Sequence, residues 1–149
     1  MSQRSNPILV PFAGLILAQG VHSVEEYTGR LWETFPPVRL VSGLVSSDLG
    51  RGFLIANVLL VGFGVWCALG PVRRGWPMAS ALAWGWVVVE MINGIVHPVW
   101  SLWQGSYTPG VATAPLLLGL ALLLARRLLR QDTPDDVTRP GGTSAPSAR

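Results

Sequence analysis

Trp86-Val87-Val88-Val89-Glu90-Met91-Ile92-Asn93-Gly94-Ile95-Val96-His97 decides how this chain is read. Its apolar residues form a continuous run rather than the single stripe of a helix with one face in water. Within that run, Trp86, Glu90, Asn93 and His97 recur at steps of four, three and four, so they share one helix face. An ionised side chain at the centre of a membrane helix costs roughly 2.5–3.5 kcal/mol on insertion scales. A polar face in such a setting therefore points to a function.

The rest of the chain has the same character. Half of its 149 residues are hydrophobic and only 13% are charged, about half the ~25% usual in soluble domains. Four apolar segments, near 8–28, 52–71, 77–98 and 110–130, approach the roughly 20 helical residues that cross a bilayer. Backbone groups in hydrocarbon must be satisfied internally, so each segment is predicted to be a helix. The fold expected is all-α: an integral membrane four-helix bundle over residues 1–130, followed by a disordered tail, 131–149, rich in Pro, Gly, Ser, Thr and Asp. Phe35-Pro36-Pro37 interrupts the connection between the first two spans. Beyond it, Val38, Val41, Val45 and Leu49 suggest a short helix on the outer surface.

Arginine supplies all eleven basic groups. With alternating spans, Arg4, Arg73, Arg74, Arg126, Arg127 and Arg130 fall on one side, and Arg30, Arg39 and Arg51 on the other. The positive-inside rule then puts both termini in the cytoplasm and the protein in the cell membrane as a multi-pass chain. No aromatic-interleaved basic patch points to nucleic acid. The lone Cys67 excludes an internal disulfide. Ala18-Gln19-Gly20 loosely imitates a signal-peptide cleavage site, but the polar stripe continues across it.

A matching stripe lies on the first segment, where Leu15, Gln19, His22 and Glu26 also step by four, three and four. Parallel first and third helices put His22 roughly 21 Å and Glu90 roughly 20 Å above their starts, at ~1.5 Å per residue. Asn57, a few residues into the descending second helix, reaches a similar level. The expected site is one polar layer in the outer half of the membrane. His22, Glu26, Glu90 and His97 are its candidate metal ligands, with zinc, iron or manganese the metals that suit imidazole plus carboxylate. Glu25 is the candidate general acid or base, while Gln19, Asn57 and Asn93 are candidates to orient substrate or ligands. Metal-free acid–base chemistry and a proton path use the same groups. A bland alternative is that they pair merely to fasten helices together.

His22-Ser23-Val24-Glu25-Glu26, the later His97 and Tyr107-Thr108-Pro109-Gly110 occur in an order that resembles the HXXEE domain family of small bacterial membrane proteins. The resemblance spans residues 22–110 and implies that His22, Glu25, Glu26, His97 and Tyr107 are functional positions. It names no substrate. Tyr107, projecting over the site, is a second candidate catalytic group. The function expected is an integral membrane enzyme, a metal-dependent hydrolase or oxidase, acting on a lipid or other apolar molecule. A proton- or ion-coupled transporter and a structural partner of another membrane protein are the alternatives, and the oligomeric state is left open.

Overall fold

Proline and glycine punctuate the apolar runs and set the helix ends. The structure, a computed structural model, describes residues 6–131, which form six α-helices and no strand among the described residues. The first, α1 (Leu9–Thr28), stops at Gly29, and the left-handed Arg30 (φ 54°) turns the chain. A single turn, α2 (Leu31–Thr34), is followed by Phe35, held extended as expected before a proline. Pro36 then opens α3 (Pro36–Val45) from its first position, where a missing N–H costs nothing. Asp48 caps α4 (Leu49–Cys67) by accepting the Arg51 N–H at 3.1 Å, and α4 runs on as a π-helical turn, Ala68–Val72. The last two helices are α5 (Ala79–Gln104) and α6 (Ala114–Gln131).

Two boundaries differ from the sequence reading. The run expected to end near 98 continues through Pro98 to Gln104. Left-handed Gly105 (φ 63°) closes it, with its N–H on the Leu102 carbonyl and that of Ser106 on the Ser101 carbonyl. The last helix starts at Ala114 rather than 110, because the connection from Gly105 to Thr113 is occupied in building the site described below.

Successive long helices run antiparallel, and hydrogen bonds tie their ends. Asn6 Nδ2 donates to the Val72 carbonyl at 2.7 Å at one end, and Tyr107 donates to Glu25 at the other. α1 lies between α4 and α6, α6 packs closely on α5, and α4 meets α5 only sparsely. α3 lies tightly on α4, where a Cβ at Gly52 would strike the Ser42 carbonyl. The lower core is apolar and closed: Phe12, Leu15, Ile16, Trp86, Leu117 and Leu124 are buried there.

Polarity is distributed inside out. Gln19, His22, Glu26, Glu90 and His97 are buried, while Val10, Leu17, Leu44 and Leu102 are 74–81% exposed. Two helices, Leu49–Val72 and Ala79–Gln104, are long and apolar enough to cross a membrane. α1 carries His22, Glu25 and Glu26, and the late start of α6 makes its 18 residues include Arg126, Arg127 and Arg130. The tail beyond Gln131, expected to be disordered, and Arg4 lie outside the described residues.

Candidate metal centre

Helical spacing puts His22 and Glu26 on the same face of α1. His22 Nε2 lies 3.3 Å from Glu26 Oε1. From α5, His97 Nε2 lies 3.1 Å from the same oxygen. The two imidazoles meet edge to face with centroids 4.7 Å apart. One donor atom from each of these three residues falls within 4.8 Å of the others, and all three residues are buried.

The tautomer of His22 follows from its other nitrogen. Nδ1 is 2.7 Å from Thr113 Oγ1, and that hydroxyl is 2.6 Å from Glu25 Oε2. A hydroxyl has one proton, and a carboxylate is an acceptor only. Thr113 therefore donates to Glu25 and accepts from His22 Nδ1–H. This leaves Nε2 of a neutral His22 with a lone pair aimed at the Glu26 carboxylate. Nε2 is buried and makes no hydrogen bond of acceptable geometry. Two electron-rich atoms in that arrangement repel unless a proton or a metal ion stands with them.

Glu25 does a different job from Glu26, one position round the helix. Its Oε1 accepts from Tyr107 Oη at 2.5 Å, Gly110 N at 3.0 Å and Ala112 N at 3.1 Å. Its Oε2 accepts from Thr113 N at 3.0 Å and from Thr113 Oγ1. Five donors exceed the about four lone-pair sites a carboxylate offers. Glu25, expected as an acid or base, is thus outside the three-residue group and fully engaged as an anchor. A carboxylate at this place also suits the N-terminal end of α6, where free N–H groups converge.

The Tyr107-Thr108-Pro109-Gly110 turn is held against both histidines. Gly110 (φ 95°) lies so close that a Cβ there would sit 2.5 Å from His97 Cε1 and 2.9 Å from His22 Cε1. The Tyr107 ring itself is exposed. Its hydrogen bond to Glu25, with some burial and the carboxylate's charge, pushes the phenol up from 10.0 to about 12.

The remaining expected residues gather in a second, adjoining cluster. Glu90 is wholly buried, and Asn93 Nδ2 donates to its Oε2 at 3.3 Å. With its amide nitrogen turned toward Glu90, Gln19 donates to the same oxygen at 2.8 Å. Ser23 Oγ donates to Asn57 Oδ1 at 2.7 Å. Glu90, expected as a fourth ligand, is not in the group of three and is partnered by amides instead. Thr113 was not singled out in the sequence. The available signal was its place just past a Pro-Gly turn, where a hydroxyl residue marks a helix start.

Comparison with protein-family models, with curated proteins and with solved structures gave no match.

Proposed function

We propose that this chain is a multi-pass membrane protein of four spans, α1, α4, α5 and α6, that holds a transition metal through His22 Nε2, Glu26 and His97 Nε2. The orphaned, buried Nε2 of His22 carries the reading. Metal bonds of about 2.0–2.2 Å at tetrahedral angles set ligand atoms about 3.3–3.6 Å apart. The separation of 3.3 Å from His22 to Glu26 falls at the short end of that spacing, and that of 3.1 Å from His97 is slightly below it. Two neutral imidazoles and one carboxylate, with further positions free, suit zinc or ferrous iron. A zinc ion there would supply Lewis-acid help to hydrolysis, and a ferrous ion would support oxidation with dioxygen as the oxidant. The chain's own contribution is orientation: Thr113 and Glu25 fix the His22 tautomer, and Gly110 covers both rings.

The four spans are supported by the apolar exterior shared by all four long helices, which water would not tolerate over so large an area. The greater number of arginines at the end carrying Arg73 and Arg126 supports cytoplasmic termini. Membership of the bacterial HXXEE family is supported by the convergence of its three motifs on one centre. An enzyme acting on a lipid or other apolar molecule fits a centre buried in hydrocarbon. A transported ion would have to pass the closed core around Phe12, Leu15 and Leu117, which weighs against the transporter alternative.

Metal analysis of protein purified in mild detergent without chelator tests this reading. About one zinc or iron per chain is expected, and His22→Ala, Glu26→Gln and His97→Ala should each abolish it while the chain stays folded. A folded parent without metal would overturn the centre and leave proton chemistry at the same His–Glu–His group.

A further inference from the structure

Gln19 can meet the buried Glu90 with either end of its carboxamide. The two ends have the same shape, and the last torsion of glutamine is broad and roughly two-fold. With Nε2 toward Glu90, it donates to Oε2 at 2.8 Å and to Oε1 at 3.2 Å, and its oxygen lies 3.1 Å from Ser23 Oγ. With Nε2 toward Ser23, it donates to Oγ at 3.1 Å, and its oxygen takes the place 2.8 Å from Glu90 Oε2. Two bare acceptors repel at that distance, whereas an O–H···O bond has that length. The second orientation therefore belongs to a protonated Glu90, and the first to the carboxylate. Asn93 Nδ2 donates to Glu90 in both.

Ser23 carries the difference onward, because a hydroxyl has one proton to give. Its Oγ also lies 2.7 Å from Asn57 Oδ1. With Glu90 protonated, every donor points one way: Glu90 to Gln19, Gln19 to Ser23, Ser23 to Asn57, and Asn57 Nδ2 to the Phe53 carbonyl at 3.1 Å. With Glu90 ionised, Gln19 Oε1 and Asn57 Oδ1 compete for the one serine proton. Gln19 is 1% exposed and has no other donor for that oxygen, whereas Asn57 is half-buried on the wall of a cavity of about 210 Å³. Ser23 then turns to Gln19, and Asn57 is the group left to find a donor.

We infer that Glu90 is a reversible proton-binding site whose state is relayed through Gln19 and Ser23 to Asn57, across α5, α1 and α4. No proton travels along the relay: Glu90 gains or loses one, and Ser23 only changes the acceptor of its own. Release of the proton frees Asn57 Oδ1 as an acceptor in the cavity that also has Glu26 in its wall. The charged group that bears on Glu90 from α1 is Glu26, with His22 and His97 against it. α4 brings Arg51 at its exposed start, paired with Asp48, and α6 brings Arg126, Arg127 and Arg130 beyond Leu124. The π-helical turn has no charged residue of its own. A metal ion on Glu26 would move the midpoint of the titration and leave the relay, which uses none of the three ligands.

Nuclear magnetic resonance of the full chain in mild detergent, with labelled nitrogen in asparagine alone, tests this. The chain has three asparagines, Asn6, Asn57 and Asn93, so three side-chain amides are followed. The pH is varied between about 4 and 10, which spans ordinary and buried glutamates. The Asn57 and Asn93 amides should shift with one common midpoint. Asn6, bonded to the Val72 carbonyl at the other end of the bundle, should not share it. Glu90→Gln should remove this transition from both signals. Gln19→Leu and Ser23→Ala should each keep it at Asn93, which touches Glu90 directly, and lose it at Asn57. These two variants carry the test should Glu90→Gln fail to fold. Absence of the transition, its persistence in folded Glu90→Gln, or its persistence at Asn57 in folded Gln19→Leu and Ser23→Ala would overturn the inference. Protein with and without bound metal should both show it, so this result and the metal analysis succeed or fail separately.

Discussion

One hydroxyl and one carboxylate decide which atom of His22 faces the centre. Outer partners of a ligating histidine typically change metal affinity 10- to 100-fold. Thr113→Val should therefore weaken metal binding by that order, while Thr113→Ser, which keeps the hydroxyl, should restore most of it; a competition titration with a chelating dye reads both. Equal losses in the two variants would mean that Thr113 acts by packing alone. Tyr107 reports on the same anchor from the connection between α5 and α6. Its phenolate absorbance should appear with a midpoint near 12, and Glu25→Gln should move that midpoint back toward 10.0. Because the folded pKa is raised, this hydrogen bond stabilises the turn fully below pH 10 and is lost as pH rises through 12. The group of His22, Glu26 and His97 was legible in the sequence because imidazoles and acids stand out in apolar runs. Glu25 and Glu26 could not be separated there: adjacent positions on a helix point about 100° apart, and only the partner segments decide which enters the centre. Thr113 was invisible for the same reason, since its role depends on residues ninety positions away in the chain.

At the scale of elements, the connection from α5 to α6 is part of the centre, not only a link. Its conformation is specified by two left-handed glycines with different surroundings. Gly105 (φ 63°) has open space around its missing Cβ, whereas Gly110 (φ 95°) rests on His97 and His22. Placing a side chain on either strains the backbone by the order of 1–3 kcal/mol. Gly105→Ala should therefore lower thermal stability in detergent and leave metal content unchanged. Gly110→Ala should cost more stability and also expel the metal, because its Cβ would drive the His97 ring from its place. If both variants kept metal equally, the turn would not be holding the rings. The helices themselves could be read from apolar runs and proline positions, including the short α3 after Phe35-Pro36-Pro37. Their ends near 98 and 110 were misplaced because Pro98 is tolerated within α5, where packed neighbours can compensate for its missing N–H. The start of α6 is delayed because Gly110 is left-handed (φ 95°) and cannot belong to the helix, and the N–H groups of Gly110, Ala112 and Thr113 are taken by Glu25 from another helix.

At the scale of the molecule, the distribution of arginine and the position of the centre make one joint demand. The described arginines at the end that carries the α4–α5 connection are Arg73, Arg74, Arg126, Arg127 and Arg130, against Arg30, Arg39 and Arg51 at the other. The hydrogen bonds joining Asn6 to Val72 and Tyr107 to Glu25 fix which connections share an end, whatever surrounds the helices. In the proposed orientation, the centre lies in the outer half, and the closed apolar core lies in the inner half. The native Cys67 is fully buried, so single cysteines placed at exposed positions report without interference. A membrane-impermeant maleimide applied to intact cells should label Ser47→Cys and Ser106→Cys, both exposed beside the centre's end. It should label Arg74→Cys only after the membrane is opened. The reverse pattern would turn the centre toward the cytoplasm and leave the bundle intact. Labelling of all three from outside, or recovery of the chain from the soluble fraction, would sink the four-span reading. The exposed leucines and valines would then need a partner's apolar surface, because water alone cannot accommodate an exterior of that composition over every long helix.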